Sequence, residues 1–221
     1  MCIRDSATTV RGIAYLDGTY YVMDPDGQIF GSDPLNTPTS WTSLNKIRAQ
    51  MEPDGGVALA RLLNYIVAFG TYTTEFFFDA GNPSPGSPLA PYTSGMLNIG
   101  CAVASSVVQS NNQLFFVGVT KQRGRSVYSL TGTNPQVLST PSVERILNAD
   151  DLSEVYAFCV KIAGHQFYVL TLINSSITLA CDLATGDWKE WTSLTAGSPV
   201  TISSLTCLLY TSPSPRDRTR S

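Results

Sequence analysis

Apolar residues along the chain fall into short alternating runs, each broken by a two-residue turn signal. The clearest are "GIAYLDGTYYVMD", "LARLLNYIVAFGT", "SVVQSNNQLFFVGV" and "AFCVKIAGHQFYVLTL". Each carries a hairpin turn at its centre: Asp17-Gly18, Leu63-Asn64, Asn111-Asn112 and Ala163-Gly164. A second turn follows each hairpin, at residues 24–27, 70–71, 122–124 and 174–176. Beyond it lies a third strand, "QIFGS", "TEFFFDA", "SVYSLTG" and "SITLACDLA". Two units close on an identical "WTSL", beginning at Trp41 and Trp191.

The repeat length is roughly 50 residues, with three or four short antiparallel strands in each, which is the signature of a propeller blade. Each unit is expected to carry one apolar face that it cannot bury alone, so neighbours must stack. An irregular β-sandwich would also give many short strands, but the regular spacing and the repeated Trp favour blades. The chain is therefore expected to be all-β, a partial β-propeller of about four blade-like antiparallel units with one short helix. That helix is expected over residues 141–148, with Thr140 as its N-cap and Pro141 at its first position. Residues 81–91, "GNPSPGSPLAP", hold Pro83, Pro85, Pro88 and Pro91 and are expected to form a long surface loop.

The two ends do not follow this pattern. "CLLYTSPSPRD" at residues 207–217 back-translates to a transposase mosaic end plus primer site of a sequencing library, and "MCIRDS" to its reverse complement. Residues 1–6 and 207–221 are accordingly read as adapter-derived and left out of the fold, as artefactual segments should be. Residues 7–206 remain as an incomplete propeller domain. Such a piece should expose sheet surfaces where neighbouring blades belong.

Charge changes the functional picture more than the structural one. The whole chain carries 14 Lys and Arg against 17 Asp and Glu; residues 7–206 carry 10 against 15. No electrostatic footprint for wrapping nucleic acid is present. Cys101, Cys159 and Cys181 sit in apolar runs without paired spacing, which points to buried thiols and not to zinc or a disulfide framework. No apolar run reaches the roughly 20 residues a membrane-spanning helix needs.

Catalytic chemistry is hard to assemble from these residues. His165 is the single histidine, so triads and His-rich metal sites are not expected. "DPDG" at Asp24–Gly27 suggests calcium, yet such a loop needs further oxygen ligands, and turn chemistry explains it better. Asp150, Asp151 and Glu154 read as a solvated acidic loop. Glu75, inside "TTEFFF", is the carboxylate expected to point inward, but a glycosidase needs a second one facing it. The chain is expected to be no enzyme and to need no cofactor or metal. Candidate partner contacts are the basic cluster Lys121, Arg123 and Arg125 on a hairpin tip, and Pro83, Pro85 and Pro88 in the Pro-rich loop.

The ordered stretches "SDPLNTPTSWTSLN", "FGTYTTEFFFDAGN", "IGCAVASSVVQSNNQLFFVGVTKQRGRSVYSL", "PQVLSTPSVE" and "GHQFYVLTL…CDLATGDWKEW" resemble the packaged-DNA stabilisation proteins of short-tailed bacteriophages. Together they cover nearly all of residues 7–206. The resemblance implies a structural virion protein, a tail hub or head-completion part that stabilises packaged DNA below the portal. Its implied partners are further copies in a ring, portal or adaptor and other tail proteins, with packaged DNA nearby; no membrane or small-molecule substrate is implied. Tail tubular (nozzle) proteins share similar architecture. A carbohydrate-binding or carbohydrate-active propeller of a viral or bacterial surface protein is the alternative that the aromatic content permits.

Overall fold

The computed structural model describes residues 8–33, 40–49, 54–83, 85–195 and 198–201, so both segments read as adapter lie outside the described residues. Four up-and-down antiparallel sheets follow one another along the chain. The first contains β1 (Ala14–Leu16), β2 (Thr19–Met23), β3 (Gln28–Ser32) and β4 (Trp41–Arg48). The second contains β5 (Gly56–Leu62), β6 (Tyr65–Gly70), β7 (Thr74–Asp79) and β8 (Leu89–Pro91). In the third, β9 (Gly100–Cys101) and β10 (Val108–Ser110) both pair with β11 (Gln113–Thr120), followed by β12 (Gly124–Thr131) and β13 (Asn134–Val137). The fourth contains β14 (Val155–Ile162), β15 (His165–Leu172), β16 (Ile177–Asp182) and β17 (Trp188–Glu190). A hairpin of β18 (Thr192–Thr195) and β19 (Ser198–Thr201) follows, and α1 (Pro141–Ala149) links sheets three and four.

The turn chemistry accounts for the hairpins. Asp17 and Gly18, Asn111 and Asn112, and Ala163 and Gly164 all have positive φ at both central positions. That is the backbone twist a two-residue hairpin requires, and Asp, Asn and Gly supply it at low cost. Leu63 adopts φ 55° at the same point of the second hairpin. A bulky residue there carries strain that Asn or Gly would not. Leu63→Asn is therefore expected to stabilise the fold by roughly 0.5–1 kcal/mol, read as a higher urea midpoint at unchanged slope; a lower midpoint would refute it.

Strand alternation then decides the packing, because neighbouring side chains point to opposite faces. Tyr21, Met23 and Ile29 of sheet one meet Leu59, Ile66, Ala68, Phe77 and Leu89 of sheet two. The opposite face of sheet two brings Ala58, Leu62, Val67, Phe69 and Phe76 against Cys101, Leu114, Phe116, Tyr128 and Leu130 of sheet three. Phe115, Val117 and Val127, on the far face of sheet three, meet Val155, Tyr168, Leu170, Leu172 and Leu179, with Val143 and Leu147 of α1 closing the gap. Sheets two and three are thus apolar on both faces, where one apolar face per unit was expected. That is why β6 and β11 read as continuous apolar runs.

Other expectations need correction. The two "WTSL" segments are not equivalent. Trp41 pairs with Ser32 at the C-terminal end of β3, whereas Trp191 donates its N–H to Thr178 near the N-terminal end of β16. Four matching residues carry no register, so the identity marks different places in the two sheets. The Pro-rich segment is a loop only as far as Pro88. Leu89 is buried, and Leu89–Pro91 forms the outermost strand β8, an edge position where proline's missing N–H costs nothing. Thr140 occupies the N-cap with extended backbone, but its hydroxyl makes no capping bond. Asp150 is buried, not solvated; it accepts the Leu152 N–H at 2.7 Å and a hydrogen bond from the Ser175 hydroxyl.

Buried polar groups join sheets as well as apolar ones. The Tyr168 hydroxyl donates to the Ser106 carbonyl at 2.9 Å, while the Ser106 hydroxyl accepts the Val117 N–H at 2.9 Å. Trp188 Nε1 donates to the Leu138 carbonyl at 2.8 Å, tying β17 to the segment before α1.

Candidate interaction surface

The up-and-down order gives the array two rims of different composition. Hairpin turns 17–18, 63–64, 111–112 and 163–164 lie on one rim, with the connections from third to fourth strand in each sheet. Turns 24–27, 71–73, 121–123 and 173–176 lie on the other, with α1 and the links between sheets. Cross-sheet contacts agree with this assignment. Asp17 and Asn64 line one groove, the Asn111 amide donates to Gln166, and Tyr72 and Thr73 share a groove with Lys121 and Arg123. The two groups of candidate contact residues are therefore separated: Pro83, Pro85 and Pro88 sit on the first rim, and Lys121, Arg123 and Arg125 on the second.

On the second rim the three cations point to different partners. Arg123 pairs with Glu144 of α1 at 3.1 Å, and the same Glu144 oxygen accepts hydrogen bonds from Ser126 and Ser139. Arg125 reaches the C-terminal end of α1, donating to the carbonyls of Leu147, at 3.0 Å, and Asp150. A guanidinium at helix carbonyls also suits the negative end of the helix dipole. Lys121 lies 5.6 Å from the centre of the Tyr72 ring. It lines an open groove between sheets two and three with Tyr72, Asn98, Thr120 and Gln122. The cluster's charge is thus largely spent on fixing α1 to the third sheet.

On the first rim, Pro83 and Pro85 are exposed and Pro88 is half-buried. The loop's base is fixed: Ala80 N–H donates to the Pro88 carbonyl at 2.9 Å, and the Asp79 carboxylate accepts the Gly81 N–H at 2.7 Å. Beside it, Asp17, Asn64, Tyr65, Phe78, Asp79 and Tyr92 line an open groove. Sequence patterning did not single out Tyr65 and Tyr92, whose rings lie 5.6 Å apart, because Tyr65 opens β6 and Tyr92 follows the end of β8, far apart in sequence. His165 on this rim bonds the Asp182 carboxylate at 2.7 Å. Asp182 is held below the ordinary carboxylate range first by the Ala184 N–H and then by His165.

The residues that raised chemical questions are placed as structure. Asp24 accepts from the Gln28 backbone at 2.7 Å and from its side chain at 3.2 Å, closing its own turn. Glu75 is buried in β7, as its neighbours suggested. Burial pushes the Cys101 and Cys181 thiols up to about 12 and Cys159 up to about 11, which leaves almost no thiolate at neutral pH. Among the described residues no group of His, Cys, Asp and Glu is arranged to hold a metal, and no helix is long and apolar enough to cross a membrane.

Four-stranded up-and-down sheets stacked face to face, with their turns gathered on two rims, define a β-propeller scaffold. The family described as phage stabilisation, Bacteriophage P22 Gp10, beta-propeller, matches residues 2–202, and the chain belongs to it. No curated protein matches the chain. Among solved structures, it is similar to BamB from Moraxella catarrhalis, at 7% identity and TM-score 0.48, over 82% of this chain and 52% of that one. It is also similar to the computationally designed Ika4 protein, at 14% and 0.44, over 86% of this chain and 94% of that one. The WD40 domain of SCAP from fission yeast matches at 14% and 0.46, over 88% of this chain and 45% of that one. The chain thus spans about half the length of the BamB chain.

Proposed function

We propose that this chain is part of a non-enzymatic virion protein of a short-tailed phage, acting at the tail hub or head-completion position to keep packaged DNA in place. The observation that carries this reading is membership of the phage stabilisation family over residues 2–202. The two unlike rims support it, since a part seated between head and tail needs separate surfaces for different neighbours. The Pro-rich loop serves one neighbour, and the groove beside Lys121 serves the other. DNA retention here is by assembly and plugging. A chain of net charge −3 offers few phosphate contacts, and dense Lys and Arg contacts would hold DNA against ejection.

The test is assembly of phage particles with and without this gene product. Particles lacking it are expected to package DNA and then lose it to added nuclease, with protection restored by supplying the protein. Nuclease-resistant DNA in its absence would overturn the proposal. A second reading, carbohydrate binding, draws on one observation, the rim groove where Tyr65, Phe78 and Tyr92 stand beside Asp17 and Asp79. Its mark would be glycan-array binding that Tyr92→Ala removes.

A further inference from the structure

On the second rim, the junctions between successive sheets are closed differently. Between sheets one and two the link closes the gap: the Gly56 N–H donates to the Pro25 carbonyl at 2.8 Å, and the Thr71 N–H to the Gly55 carbonyl at 3.0 Å. Between sheets three and four, Val143 and Leu147 of α1 fill it. Between sheets two and three the link pairs with both sheets, Leu97 with Thr74 and β9 with β11, and a groove of about 470 Å³ stays open between the turns. That is the size of a ligand pocket, roughly 300–1,000 Å³. Sheets two and three are each flanked by another sheet of this chain, so the groove's walls are in place. They are also held. Asp54 accepts the N–H groups of Tyr72 and Thr73 at 2.7 and 2.9 Å, and the Arg123 N–H donates to the Thr120 hydroxyl at 3.0 Å. Tyr128, 4% exposed, lies at the base, its ring packed over Gly118 where no side chain stands.

In an acidic chain, this groove carries charge of the opposite sign. Among the described residues that line it, Lys121 and Arg123 are charged and none is a carboxylate. Arg123 bonds Glu144 through one nitrogen, and its side chain remains 55% exposed. Lys121 reaches across to Tyr72, itself 40% exposed, and pairs with no carboxylate among the described residues. Beside it the exposed amides of Asn98 and Gln122 make no hydrogen bond to a described residue. An ammonium held against an aromatic face suits a carboxylate, and amides that both donate and accept suit a peptide main chain. We infer that this groove binds an extended acidic peptide segment of a neighbouring protein, with a carboxylate at Lys121 and the main chain on Asn98 and Gln122. The inference rests on the reading of this groove as a neighbour's seat and gives that neighbour its chemistry. Nucleic acid fits less well, because its affinity accumulates over many phosphate contacts and the groove offers two cations. Rigid walls lower the ordering cost of binding a short segment.

Fluorescence anisotropy of a fluorescein-labelled hexaglutamate peptide with the full chain, at about 50 mM salt where surface charge is little screened, tests it. Saturable binding is expected, and Lys121→Glu is expected to weaken it at least about tenfold. Tyr72→Ala should weaken it several-fold. Both side chains are exposed, so the circular dichroism spectra should not change. Lys161→Glu makes the same charge change on β14, away from the groove, and should leave the affinity within about twofold. Absence of saturable binding, binding indifferent to Lys121→Glu, or equal losses for Lys121→Glu and Lys161→Glu would each overturn the inference. So would a single-stranded hexanucleotide that binds more tightly than the peptide and is released by Lys121→Glu. The assay needs no phage particle: its failure overturns the groove's chemistry alone, whereas failure of the nuclease test overturns the phage reading alone.

Discussion

Phe116→Ala is expected to remove about 3–5 kcal/mol of folding stability, the range for deleting a buried aromatic side chain. Phe116 is fully buried on β11, at the centre of the interface between sheets two and three. Its ring lies 4.8 Å from Phe69 across the interface and 5.8 Å from Tyr128 on the neighbouring strand. Truncation forfeits both contacts and opens a cavity that two opposed sheets cannot collapse to fill. Against a total stability of about 5–15 kcal/mol, this one change takes a large share. It should appear as a lower urea midpoint with the slope retained. Phe116→Leu keeps most of the volume and should cost well under half as much. A loss below about 1 kcal/mol for the alanine variant would mean that the interface repacks freely.

That interface was partly legible in the sequence. The hairpin turns were readable because Asp-Gly, Asn-Asn and the Gly of Ala-Gly advertise positive φ; Leu63 and Ala163 hid theirs behind ordinary side chains. The apolar runs were also visible, but "YIVAFG" and "LFFVGV" do not say how many neighbours a sheet has. A two-faced sheet simply has too few polar positions to alternate. Contacts closed by distant residues were not readable. Asp150 looks solvated beside Asp151 until Ser175, on the turn before β16, donates a hydrogen bond to it. The basic tip misled for a related reason. Lys121, Arg123 and Arg125 are neighbours in sequence, yet they diverge to Tyr72, Glu144 and the α1 carbonyls once the turn and helix are in place. The same folding event that brings the helix in removes most of the charge from the candidate site.

Gly100→Ala should be strongly disruptive for a single added methyl group, costing about 3 kcal/mol, the upper end of ordinary overpacking. An added Cβ at Gly100 would lie 2.2 Å from the carbonyl carbon and oxygen of Thr71 and 2.3 Å from the Tyr72 nitrogen. These are backbone atoms, so no side chain can swing aside. Nor is the turn free to move. The Thr71 N–H is held by the Gly55 carbonyl at 3.0 Å, and Asp54 accepts the N–H groups of Tyr72 and Thr73 at 2.7 and 2.9 Å. The other side must yield, and β9 can do so only by giving up its pairing with Val119 and Gly118 and the Thr74 hydroxyl's 2.6 Å bond to Ile99. Gly18→Ala is the control: its Cβ would meet nothing within 4 Å, so only the positive φ of 86° is penalised, at about 1 kcal/mol. Coupling separates the two explanations further. Asp54→Ala releases the turn, so the Gly100→Ala penalty should shrink in that background by roughly 1 kcal/mol, a non-additivity expected only of groups in contact. Strict additivity, or a Gly100→Ala cost no greater than that of Gly18→Ala, would show that the turn is not pressed against β9.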